Sequence, residues 1–143
     1  HDEWPGGHNI AYAPRIWRRI FQTWGDAVGM NYDPSHLVWQ MIDANRFVRE
    51  FGALMVHVHA KDLMIDRDGL YDHGILSAGM GWQIPRMPGL GEVDWQDFFA
   101  TLYRAGYDGP VIIEHEDRTF EGTDEKIKRG FALARDILRP YVK

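Results

Sequence analysis

The chain has 143 residues, 45% of them apolar and 26% charged, with 16 Lys and Arg against 21 Asp and Glu for a formal net charge of -5. This is the balance of a globular domain, which excludes a disordered or collagen-like chain, and the acidic excess argues against an electrostatic nucleic-acid binder. The absence of cysteine excludes disulfides, thiolate metal sites and cysteine nucleophiles, and no apolar run approaches the ~20 residues of a membrane span.

In chain order, residues 1–13 read as a loop with a Trp4-Pro5-Gly6-Gly7 turn signal. The chain opens inside this loop, at His1 rather than Met, so an upstream part is expected. Pro14 suits the first turn of a helix that carries Ile16, Trp17, Ile20, Phe21 and Trp24 at helical spacing, with Gly25 as its stop. Val28 to Tyr32 reads as a strand broken by Asp33-Pro34. A helix in two pieces follows. Leu37, Val38, Met41 and Ile42 form one apolar face; Asp43 caps a second piece with Phe47, Val48 and Phe51, stopped by Gly52.

Leu54 to Ala60 is the clearest strand, with Leu54, Val56 and Val58 on one face and Met55, His57 and His59 on the other. Residues 62–93 lack periodicity and are rich in glycine, and their apolar content predicts an ordered lid. Asp94 reads as an N-cap for a helix with Trp95, Phe98, Phe99, Leu102 and Tyr103, ending at Gly106. Pro110 to Ile113 is a buried strand closed by Glu114. Thr123 and Asp124 open a last helix through Leu138. Alternating helices and strands predict an α/β fold in one domain over residues 1–143, its strands parallel and joined by crossover helices.

The three strands end in Asp33, His59 and Glu114. In parallel α/β folds that edge binds ligands, and two carboxylates with an imidazole suit one divalent ion: Mn²⁺, Mg²⁺, Co²⁺ or Zn²⁺. His36, three residues after Asp33, lies on the same side of a helical turn, as a group that polarises a substrate oxygen, as a further ligand, or as a helix residue without chemistry. His57 shares the face of His59 one pleat deeper and reads as a core or supporting histidine. Lys61 continues that face, either meeting an anionic substrate group or exposed. Arg86 is a candidate fork for a phosphate or carboxylate. Trp4 and Trp82 either wall a sugar face or only anchor their loops. The glycines of Pro88-Gly89-Leu90-Gly91 either let backbone N–H groups approach an anion or form a tight turn before Asp94. Residues 115–118 crowd the mouth after Glu114 and read as a solvated charge run, or as one or two substrate contacts within it.

The segments Asn31-Tyr32-Asp33-Pro34-Ser35-His36-Leu37, His57-Val58-His59-Ala60-Lys61-Asp62, Pro88-Gly89-Leu90-Gly91-Glu92-Val93-Asp94-Trp95 and Ile112-Ile113-Glu114, in that order, resemble the sugar phosphate isomerase/epimerase family of the xylose isomerase-like TIM barrels, relatives of endonuclease IV. The resemblance spans nearly the whole chain. It implies Asp33, His59 and Glu114 as metal ligands, Glu114 also as an acid/base carboxylate and His36 as the substrate-contacting histidine. The family's fourth ligand, a glutamate closing an earlier strand, has no counterpart here, because Glu3 lies in a loop.

A (β/α)8 barrel takes about 250 residues, so three clear strands with their helices are expected to be its C-terminal half. The implied activity is a metal-dependent sugar or sugar phosphate isomerase or epimerase working through an enediolate. Leu63, Met64 and Ile65 stand where ketose 3-epimerases carry an arginine, so that branch is not specifically implied.

Three alternatives stand beside this. One is an inosose dehydratase-like lyase. Another is an endonuclease IV-like phosphodiesterase, disfavoured because Asp72 and His73 are adjacent rather than spaced as that enzyme's Asp-x-His pair. The third is a non-catalytic sugar-binding half-barrel. A small-molecule sugar is the expected partner, with no nucleic acid and no membrane, in a cytoplasmic protein. Exposed edges of a partial barrel favour a homo-oligomer.

Overall fold

A computed structural model describes residues 10–76 and 81–143. Helix α1 (Pro14–Trp24) leads into strand β1 (Met30–Tyr32). A single turn, α2 (Ser35–Val38), and helix α3 (Ala44–Phe51) connect it to β2 (Met55–Ala60). An inserted hairpin, β3 (Asp62–Ile65) and β4 (Gln83–Arg86), flanks helix α4 (Arg67–His73). Helix α5 (Trp95–Arg104), strand β5 (Val111–Ile113) and helix α6 (Asp124–Leu138) complete the chain. Strands β1, β2 and β5 form a parallel three-stranded sheet in that spatial order. This is the arrangement the alternation of elements predicts.

The core lies between the sheet and its helices. Met30, Tyr32, Val58 and Ala60 are buried against Phe47, Val48 and Phe51 of α3 and Trp95, Phe98, Phe99 and Leu102 of α5. The Tyr32 ring is stacked between Phe47 and Phe98, with centroids 5.3 and 6.0 Å away, and its hydroxyl donates to the Ala44 carbonyl at 3.1 Å. A buried tyrosine thus satisfies its polar end while its ring joins the two helices to β1. The Asp43 side chain accepts from the Arg46 amide at 2.8 Å, the expected cap of α3. Asp43→Ala is expected to lower stability by about 1 kcal/mol in urea denaturation, the usual worth of an N-cap.

Two local expectations are corrected. The first is the alternation along β2. Met30 pairs with Met55 but Asn31 pairs with His57, so Val56 is an extra residue at an irregularity. Met55 is therefore buried with Met30, while Val56 is 61% exposed instead of sharing the buried face of Val58. Beyond Val56 the strict alternation resumes. The second is the apolar face placed across 37–42. The helical turn ends at Val38, and Met41 has a positive φ of 57° and is 65% exposed.

The lid contains regular structure that periodicity does not reveal. Its strands pair antiparallel, Asp62 opposite Arg86 and Ile65 opposite Gln83. Leu63 and Ile65 pack with Trp39 and Trp82 in a second small core. Strands of four residues, one containing Pro85, are too short for a period to stand out. No helix among the described residues is long and apolar enough to cross a membrane.

Candidate metal centre and its cleft

From Asn31, His57 and Ile112 onward, each strand of the sheet sends alternate residues to the face away from the helices. The pairings Asn31 with His57 and His59 with Ile112 align these rows. Continuing the alternation places Asp33, then His59 and Lys61, then Glu114 and Glu116 at the C-terminal edge. One ligand atom from each of Asp33, His59 and Glu114 lies within 4.8 Å of the others. The sheet thus brings together the three residues nominated as ligands. His59 Nδ1 is 3.2 Å from Glu114 Oε2, and the His57 ring packs edge-on against His59 at 5.1 Å.

Lys61, just past the end of β2, enters the same cluster. Its Nζ is 3.1 Å from Asp33 Oδ2, 2.9 Å from Glu114 Oε2 and 2.9 Å from Glu116 Oε2, and the residue is 2% exposed. Three carboxylates thus crowd one ammonium: it donates a hydrogen bond to Glu116 and pairs by charge with Asp33 and Glu114, while Asp33 Oδ2, buried, has no hydrogen-bond partner among the described residues. This corrects the reading of Lys61 as an exposed lysine: its ammonium is engaged by internal carboxylates. One positive charge against three carboxylates makes a place for a further cation. Two carboxylates that already share a cation, with an imidazole beside them, have the donor chemistry of a hard to borderline divalent ion.

The electrostatics follow from these contacts. Burial opposes the charged form of Lys61, but Asp33, Glu114 and Glu116 outweigh it and hold its pKa above the usual lysine value. Burial pulls Glu114 toward the neutral form, but Lys61 and His59 win and its carboxyl titrates below the usual range. At Asp33 burial dominates over the opposing pull of Lys61 and His36, so its pKa is raised.

The Asp33 side chain also accepts from the Ser35 amide at 2.9 Å, which turns the chain into α2. That turn sets His36 Nε2 3.4 Å from Asp33 Oδ2, on the side expected from the spacing. His36, Asp33 and His59 line one side of a cavity of about 280 Å³, with Asn31, Gln40 and Trp17 among its other walls. The cleft therefore offers polar groups and an aromatic face beside the cluster.

Other nominated residues lie elsewhere. Trp82 is fully buried in the lid core, so it anchors the lid and presents no surface to a sugar. Arg86 meets a carboxylate through one nitrogen rather than as a fork, and that carboxylate is internal: Arg86 Nη1 is 3.4 Å from Asp117 Oδ1 and donates to Thr119 Oγ1 at 2.9 Å. Trp4 lies outside the described residues. Of residues 115–118 only Arg118 is exposed, so they are not a solvated run. Asp117 is fully buried and accepts from the Met87 and Thr119 amides, His115 packs on the Phe131 ring at 5.5 Å, and Glu116 holds Lys61. Glu116 was readable from the alternation 112, 114, 116; at Asp117 only the turn onto the Thr119 amide is local, and its other amide partner, Met87, is 30 residues away.

The glycine segment does cradle an anion, and that anion is the chain's own Asp62. Its Oδ1 accepts from the Leu63 and Val93 amides at 2.9 and 3.0 Å, and its Oδ2 from the Gly89 amide and Trp95 Nε1, both at 2.9 Å. A Cβ at Gly91 would overlap Asp62 Oδ1 and the Leu63 carbonyl, so only glycine lets the loop pass this close. The next residue after Lys61 thus fastens the lid and the start of α5 to the end of β2.

Residues 3–137 match the family described as "Xylose isomerase-like TIM barrel". The uncharacterized protein YfiH of Bacillus subtilis (strain 168) is 34% identical over 119 residues, which are 77% of this chain and 38% of that protein. Inosose dehydratase of Lacticaseibacillus casei is 27% identical over 112 residues, again 77% of this chain and 38% of that protein. The chain thus spans less than half the length of these relatives. Among solved structures, a xylose isomerase domain protein from Planctomyces limnophilus superposes with a TM-score of 0.65 at 21% identity, covering 88% of this chain and 40% of that one. A xylose isomerase domain protein from Alicyclobacillus acidocaldarius gives the same TM-score and identity over 91% of this chain and 43% of its own. At that identity the likeness speaks for the fold.

Proposed function

The chain belongs to the xylose isomerase-like TIM barrel family, and from that premise we propose that the full-length protein is a divalent-metal-dependent enzyme that moves a proton at the carbon beside a carbonyl of a neutral sugar or cyclic polyol. The observation that carries this is the convergence of Asp33, His59 and Glu114 from three strand ends, their ligand atoms within 4.8 Å of one another. These residues would hold the ion, which when bound stabilises negative charge on substrate oxygen. Glu114, whose carboxylate form is favoured by His59 and, before metal binds, by Lys61, is the base that takes a proton from carbon and returns it. His36, in the wall of the cleft, steadies the oxygen on which charge develops. A neutral substrate is favoured over a phosphorylated one because Lys61 and Arg86, the cations nominated for an anionic group, are both engaged by internal carboxylates.

A second reading has a specific support: the 27% identity to inosose dehydratase. There the same proton abstraction ends in loss of water rather than return of the proton. The two part on their products. Ketoses and inososes offered to the full-length protein give an isomer of equal mass in the first case and a product lighter by one water in the second. In either case chelation with EDTA is expected to abolish turnover, and Mn²⁺, Mg²⁺, Co²⁺ or Zn²⁺ to restore it. Turnover that survives exhaustive chelation, with metal content verified as nil, overturns the metal-dependent reading.

A further inference from the structure

We infer that Lys61 is the site's own cation, which a divalent ion must drive off Asp33 and Glu114 and which then rests on Glu116 alone. The inference builds on the metal reading above and adds a competitor to it. The carboxylates concerned are the same ones. Asp33 Oδ2 is 3.1 Å from Lys61 Nζ, and Glu114 Oε2 is 2.9 Å from it and 3.2 Å from His59 Nδ1. A divalent ion on those atoms would stand directly beside the ammonium. Asp33 and Lys61 side chains are only 9% and 3% exposed, so little solvent screens that repulsion.

The way out is also built in. Glu116 follows Glu114 by one alternation along the same face, already holds Lys61 Nζ at 2.9 Å, and is the more solvent-facing end of the cluster, its side chain 36% exposed. It is the one carboxylate of the cluster outside the candidate ligand trio. A flexible four-carbon stem lets the ammonium pivot without moving the backbone. Lys61 therefore offsets part of the carboxylates' charge while the site lacks metal, and its release sets how tightly an ion binds.

The test is calorimetric titration of the metal-stripped full-length protein with Mn²⁺, in the wild type, Lys61→Met and Glu116→Gln, with melting curves for each. Lys61→Met removes the competitor and should bind Mn²⁺ about tenfold or more tightly, with a lower Tm before metal and a larger rise on adding it. Glu116→Gln removes the resting place and should bind about threefold or more weakly, because Lys61 then stays on the ligands. Wild type that binds Mn²⁺ beside a Lys61→Met that binds it equally or less tightly overturns the inference. If Lys61→Met does not fold, an unchanged affinity in Glu116→Gln overturns it alone. Wild type that binds no Mn²⁺ overturns the metal reading itself, and this inference with it.

Discussion

Glu114→Gln in the full-length protein should reduce kcat by about 10³-fold, the upper part of the range for loss of a positioned acid/base group, and should lower bound metal as well. The amide keeps the shape of the side chain and a carbonyl oxygen for Lys61 Nζ, which still has Asp33 and Glu116. The fold should therefore survive, with a Tm within a few degrees of wild type. Steady-state kinetics, metal analysis and a melting curve check the three parts together. Normal turnover would remove Glu114 from the chemistry. Lost turnover with full metal occupancy would leave it the proton-transfer role and deny it the ligand role.

Asp62→Asn should cost about 3–5 kcal/mol of stability, since two buried donors lose an acceptor at roughly 1–3 kcal/mol each and then face an added N–H₂ group. The reason is the strict acceptor role of this carboxylate. Its two oxygens receive four N–H groups, from Leu63, Val93, Gly89 and Trp95, at 2.9 to 3.0 Å. An amide can offer only one of those oxygens. The residue is fully buried, so water cannot serve the orphaned donors. Urea denaturation reads the loss, and hydrogen exchange at Gly89 and Val93 should rise with it. A loss under about 1 kcal/mol would mean the loop is held by other contacts.

Much of the fold was legible because its strands are apolar runs that end in polar residues. Met30 to Tyr32, Met55 to Ala60 and Val111 to Ile113 lie inside the expected strands, and Asp43 and Asp94 cap the helices they were expected to cap. The convergence of Asp33, His59 and Glu114 was legible for the same reason: a residue at the end of an apolar strand can be placed without knowing its neighbours, even though β5 is not buried as expected, Ile112 being 48% exposed. What could not be read were arrangements set by partners far along the chain. Asp62 accepts from groups 27 to 33 residues away, and Arg86 meets Asp117 31 residues on. No local period announces such pairs. A glycine-rich loop or an arginine therefore looks open to a substrate when the chain's own carboxylate already occupies it. Lys61 misleads likewise: at the end of a strand it suggests solvent, and only the packed sheet reveals the three carboxylates around it.

The extra residue at Val56 also bears on how this strand tolerates changes of length. Because Met30 pairs with Met55 and Asn31 with His57, Val56 stands outside the two-residue rhythm, its side chain against Gly29 and largely in solvent. Deleting it would leave Met55 in the core and the histidines and lysine facing the cleft, since the rhythm on either side is already in phase. Loss of one residue between His57 and Lys61 would instead turn part of that row toward the helices, carrying a charge or an imidazole into an apolar core. The strand thus has one position where a codon can be dropped without turning any side chain to the wrong face, directly beside a stretch where the count of residues is as binding as their identity.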